Sequence, residues 1–101
     1  MRVKRKIVTI CGSLKFADKI QQIAEKLELE KEYVVLNIIP HTMDRTLSES
    51  ESKLLGELHR EKIDISDAIF VVNIGGYIGE SVAGEIEYAK KKGKVIFYLE
   101  D

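Results

Sequence analysis

Four short runs of β-branched and aromatic residues, separated by segments with helical spacing, constrain this chain more than anything else in it. The runs are Ile7 to Ile10, Tyr33 to Ile38, Ala68 to Ile74 and Val95 to Leu99, and the third is apolar nearly throughout. A strand with one face in water alternates apolar and polar residues, whereas a continuous apolar run suits a strand covered on both faces. Between the runs, residues 16–29 put Phe16, Ile20, Ile23, Ala24 and Leu27 on one stripe. Residues 48–65 are predicted to turn Leu54, Leu55, Leu58 and Ile65 inward. Residues 82–92 do the same with Val82, Ile86 and Ala89, and Gly93 acts as the stop. Ser48 or Ser50 is the expected cap of the second helix and Ser81 that of the third.

Strand–helix alternation of this kind predicts an α/β fold in three layers, with a four-stranded parallel sheet between helices. The expected strand order is the flavodoxin-like 2-1-3-4, and 101 residues suit one domain spanning 1–101. In open sheets of this class a ligand sits past the carboxyl ends of the strands where the order switches, here between the first and third. Two glycine-bearing loops meet there: Cys11 to Lys15, and Gly75 to Ser81.

Composition narrows the function. Sixteen Lys plus Arg against seventeen Asp plus Glu leave a net charge of −1, which gives no basis for a nucleic-acid partner. The basic stretch Arg2 to Lys6 is expected to be a solvated arm. No apolar stretch approaches the ~20 residues of a membrane span, and no signal-peptide pattern opens the chain. With a single cysteine, Cys11, an internal disulfide is impossible, and a cytoplasmic protein is expected.

Several residues are candidates for chemistry. Gly12 lets the backbone approach a ligand, Ser13 offers a hydroxyl, and Lys15 is a counter-charge for an anion held at the helix start. The alternative for this loop is a tight turn with Ser13 as a cap. In the last helix, Glu87 has Lys91 at i+4, an exposed ion pair. Glu85 lies beside the inward stripe and near the first turn, where the helix dipole favours a carboxylate. It is either a nucleophile at the crevice or part of the turn's charge complement. His59 shares the ridge Leu55–His59–Ile63 and reaches about the level of Asn73, as a proton carrier or a structural histidine. Asp67, at the opposite end of the sheet, is assigned to a turn or cap. Cys11 has no evident activator and reads as a small buried residue, and His41 stands alone. No His, Cys and carboxylate cluster has metal-ligand spacing, so neither a metal nor a cofactor is expected.

The segments CGSLKF, ISDAIFVVN, GYIGESVAGEIEYA and GKVIFYLE together resemble the nucleoside 2-deoxyribosyltransferase-like superfamily, which includes the 2-deoxynucleoside 5′-monophosphate N-glycosidases. The resemblance covers nearly the whole chain and is most specific over 79–89. It implies that Glu85 is the family's catalytic glutamate, which attacks the anomeric carbon of the sugar and forms a glycosyl ester. It also implies that Gly12, Ser13, Gly79 and Ser81 shape a sugar or phosphate pocket. Three departures accompany it. A family aspartate on the second helix aligns with His59. Another, just ahead of the nucleophile helix, falls near Gly79 or Glu80. The chain stops sixteen residues after Glu85, so the polar residue with which family members complete a neighbouring site is not expected.

The expected function is N-glycosyl transfer or hydrolysis on a nucleoside or nucleoside monophosphate, with Glu85 as nucleophile and His59 or Glu80 assisting the leaving base. A non-catalytic nucleotide-binding module is the alternative, and an interaction domain closing on a partner is a third. A homodimer or higher homo-oligomer is expected because a second copy would deepen a shallow site.

Overall fold

Side-chain alternation on the two central strands, β1 (Ile7–Gly12) and β3 (Ala68–Val72), sorts the core into two layers. Odd-numbered residues of both strands face one way. Cys11, Ile69 and Val71 pack with Ile63, Val82, Ile86 and Ala89. Even-numbered Ile10 and Val72 face the other way and pack with Ile20, Ala24 and Leu27. The computed structural model describes residues 4–38 and 45–100. Arg2 at the start of the basic arm, His41 and Asp101 lie outside them.

The remaining elements are α1 (Ala17–Lys31), β2 (Val34–Leu36), α2 (Glu49–Asp64), α3 (Glu80–Lys91) and β4 (Val95–Tyr98). All strand pairs are parallel, in the order β2-β1-β3-β4. The expected α/β architecture and strand order are therefore present, with α1 on one face and α2 and α3 on the other. Among the described residues no helix is long and apolar enough to cross a membrane.

Local chemistry sets most boundaries. Ser48 accepts from the Glu51 N–H while the Glu51 side chain accepts from the Ser48 N–H, a capping box that starts α2. Gly93 ends the last helical turn at φ 71°, as its position in sequence predicts. The expected Ser81 cap is replaced by Gly79. Its extended backbone accepts the first helical bond from Ala83, which puts Ser81 at the second helical position. Glu87 pairs with Lys90, one residue short of the expected Lys91.

The inward face of α2 differs from expectation. Leu54, Leu55, Leu58 and Ile65 are 52, 47, 43 and 65% exposed, and the buried residues are His59 and Ile63. The C-terminal half of the helix is anchored to β1. The buried Thr9 hydroxyl and the Ser66 hydroxyl lie in hydrogen-bond contact with each other and with the Lys62 carbonyl, one donating to the other and the other to the carbonyl. Sixteen residues make a helix ~24 Å long, against ~17 Å for the five-residue β3. Because the helix is fixed at its C-terminal end, its first half, with Leu54 and Leu55, extends past the carboxyl ends of the strands, while Leu58 is turned about 100° from buried His59.

Gly12 is placed by packing. A Cβ there would lie 3.0 Å from Ile20 Cδ1 and 3.1 Å from Val72 Cβ, the latter fixed in the sheet. Gly84 in α3 has nothing within 4 Å of its Cβ position. Urea unfolding is therefore expected to show Gly12→Ala destabilised by ~1–3 kcal/mol through overpacking. Gly84→Ala should be stabilised by ~0.5–1 kcal/mol, because alanine is the better helix former.

Candidate active site

Three side chains from three elements converge at the carboxyl end of the central strands. Cys11 comes from β1 and is turned toward the α2–α3 layer by the strand's two-residue period. His59 comes from the third turn of α2, and its Nε2 lies 3.5 Å from Cys11 Sγ. Glu85 is the sixth residue of α3, and its Oε1 lies 3.4 Å from the same His59 nitrogen. Oε1 is buried with no aligned hydrogen bond, while the Glu85 side chain as a whole keeps 19% of its surface exposed. The carboxylate thus has one oxygen inside the protein and a margin toward solvent.

The electrostatics follow from burial. Cys11 has no exposed surface, and burial first, then the charge of Glu85, pushes its thiol far above the usual range. It stays a protonated thiol, so its nucleophilic form is suppressed. The helix dipole contributes little to Glu85, because the effect falls off within the first turn and Glu85 stands in the second. Its partner is His59 instead. Asp67 lies at the other end of the sheet, where its carboxylate accepts from the Ile7 N–H at 2.8 Å.

The other candidates are placed differently. Ser13 accepts from the Lys15 N–H at 3.3 Å and caps the short 3-10 turn over Leu14–Phe16, so the tight-turn alternative describes that hydroxyl. The Lys15 ammonium sits 3.4 Å from the centre of the Tyr77 ring, and Phe16 meets Tyr77 edge to face at 6.0 Å. These contacts tie the two glycine-bearing loops together. Gly75 and Gly76 hold φ 64° and 81°, and the Gly75 N–H donates to the Glu100 carboxylate at 3.0 Å. Buried Asn73 exchanges two hydrogen bonds with the Glu100 backbone, anchoring the same loop to the end of β4.

Glu80 begins α3, five residues before Glu85, and so projects about 140° away from it around the helix. It does not share the Glu85–His59 side of α3. Ser81, one turn ahead of Glu85, does share that side and is exposed. The cluster of Cys11, His59 and Glu85 also departs from the expectation of no metal-ligand grouping, since one ligand atom of each lies within 4.8 Å of the others. Spacing along the chain could not reveal it, as 48 residues separate Cys11 from His59. One signal was available: Cys11 follows Thr9 at the strand period and must face the same layer as α2. Tyr77 and Phe16 were likewise missed as clamps between the loops.

No protein-family model matches the chain, and no curated protein matches it. Solved structures do. The 2-deoxyribosyltransferase from the psychrotolerant bacterium Bacillus psychrosaccharolyticus superposes with a TM-score of 0.65 at 14% identity, over 91% of this chain and 70% of that one. The enzyme of the same name from Leishmania mexicana gives 0.64 at 19% identity, over 92% of this chain and 63% of that one. The chain therefore has the nucleoside 2-deoxyribosyltransferase-like fold and spans less than two thirds of the Leishmania protein.

The fully buried thiol generates a direct expectation. A disulfide-exchange reagent at neutral pH should leave Cys11 unmodified in the folded protein and titrate one thiol in denaturant. Rapid stoichiometric labelling under native conditions would contradict this placement.

Proposed function

We propose that the chain catalyses N-glycosyl transfer or hydrolysis on a nucleoside or nucleoside monophosphate. The observation that carries this reading is the pairing of Glu85 with His59 at 3.4 Å where the strand order switches. The fold shared with two 2-deoxyribosyltransferases supports it. In the first step an oxygen of Glu85 attacks the anomeric carbon, and the bond from that carbon to the base nitrogen breaks. The bonding electrons leave with the base, which takes a proton from protonated His59. In the second step water or another base attacks the same carbon, the ester bond breaks, and the acceptor's proton goes to His59. Two displacements at one carbon retain its configuration, as in retaining glycosidases. Ser81 shares the Glu85 side of α3, and the backbones of Gly12, Ser13 and Gly79, with Lys15 beside them, form the sugar or phosphate end. Glu80 is not needed in this scheme.

Chromatographic detection of free base from a panel of nucleosides and monophosphates tests the reading. Glu85→Ala is expected to lose on the order of 10³-fold or more in rate. His59→Ala should lose on the order of 10²–10⁴-fold, the usual range for a proton carrier. Full activity in Glu85→Ala would remove the assignment. Nucleotide binding by the wild type without base release would favour the non-catalytic module.

The same reading includes a homo-oligomer. Leu54 and Leu55 stand exposed on the part of α2 that extends past the strand ends, and Leu58 stands exposed one residue before His59. A second copy packing there would bury these leucines and deepen the site. Light scattering should give an oligomer for the wild type and a monomer for the double variant Leu55→Glu, Leu58→Glu. A monomeric wild type at tens of micromolar would overturn this part.

A further inference from the structure

Three features of the Cys11–His59–Glu85 cluster exceed what proton transfer needs. The first is its donor set: one thiol, one imidazole and one carboxylate, the set that borderline-soft divalent ions such as zinc favour. The second is its shape. A tetrahedral zinc with Zn–S ~2.3 Å and Zn–N and Zn–O ~2.1 Å requires a sulfur–nitrogen edge of ~3.6 Å and a nitrogen–oxygen edge of ~3.4 Å. The observed separations are 3.5 Å from Cys11 Sγ to His59 Nε2 and 3.4 Å from His59 Nε2 to Glu85 Oε1. The third edge, from sulfur to the carboxylate, lies within 4.8 Å. The third feature is the buried Glu85 Oε1, which faces the other two ligands without an aligned hydrogen bond. Its contact with His59 Nε2 at 3.4 Å is too poorly aligned for a hydrogen bond, and a cation between the two would give both atoms a partner.

We propose that Cys11, His59 and Glu85 form a three-ligand site for a zinc-class divalent cation, with the fourth position open toward the crevice. Binding converts the thiol to a thiolate and releases one proton to solvent. The thiolate and carboxylate then balance the two positive charges of the ion, so the loaded site is neutral and suited to burial. The cation reaches the site from the Glu85 side, the one ligand with exposed surface beyond a tenth. Resting on the assignment of Glu85 as nucleophile, one consequence follows. A carboxylate coordinated to the metal does not attack a sugar, so zinc occupancy switches glycosyl transfer off.

The test is a cobalt titration of the full chain, stripped with chelator and followed by absorbance. One equivalent is expected to give the intense visible bands of tetrahedral cobalt and a near-ultraviolet thiolate charge-transfer band. One equivalent of zinc should abolish both, and millimolar magnesium, which prefers octahedral oxygen ligands, should abolish neither. Cys11→Ser should remove the charge-transfer band. Changes outside the ligand shell already cost ~10–100-fold in metal affinity, so Glu85→Gln, with its near-identical shape, is expected to cost at least that. Circular dichroism of both variants checks their folding. A pale octahedral spectrum, no binding below millimolar cobalt, or affinity unchanged in Glu85→Gln would overturn the site. A tetrahedral spectrum without base release from any nucleoside keeps the metal site and removes the glycosyl-transfer reading. Base release without a cobalt spectrum does the reverse.

Discussion

The parallel pairing of β1 with β3 is the constraint on which the rest of the structure depends. Their register sets Cys11 beside Val71 and Gly12 beside Val72 at the carboxyl ends. From there the chain leaves β1 toward α1 on one face and leaves β3 toward α3 on the other. The two exits diverge, and in open α/β sheets the space between such exits is where ligands are held. The close approach of Gly12 to Val72 and Ile20 keeps α1 tight against the sheet at that point. A side chain there would push the helix from the edge of the crevice.

The polar groups at the crevice are held by the core beneath them. Ile63, one turn beyond His59, has no exposed surface, and Val82 and Ile86 flank Glu85 in the same apolar cluster. The Thr9–Ser66–Lys62 hydrogen bonds set the C-terminal end of α2 against β1. His59 is therefore positioned from below by packing and from the side by a polar anchor. The glycine-bearing loops are held separately, by Lys15 and Phe16 on Tyr77 and by Glu100 on Asn73 and Gly75. A rigid floor with clamped loops is an arrangement that can present one carboxylate oxygen to a ligand and keep the other inside.

Much of this was legible in the residues. The nearly unbroken apolar run over 68–74 belongs to a strand covered on both faces, and the three-residue and four-residue steps of Ile20, Ala24 and Leu27 belong to a helix lying on one of them. The stripe Val82, Ile86, Ala89 is buried throughout, as its helical spacing predicts. The leucine stripe on α2 is exposed against the same kind of prediction. Leucine spacing states which residues share a face, but what covers that face depends on where the helix is anchored and how far it overruns the strands. Glu80 illustrates a different limit, since its proximity to Glu85 in sequence hides a rotation of about 140° between them.

Sequence by itself determined the alternation of strands and helices, the parallel sheet and its order. Those follow from local periodicity and from the handedness of crossover connections, which act wherever such a pattern occurs. Tertiary structure decided which side chains meet. Cys11, His59 and Glu85 lie on three elements far apart in the chain, and only packing across the sheet brings their ligand atoms within 4.8 Å of one another. A contact of that kind has no signature in spacing, because it depends on the register of two helices over a strand, set to within an ångström by the side chains packed between them.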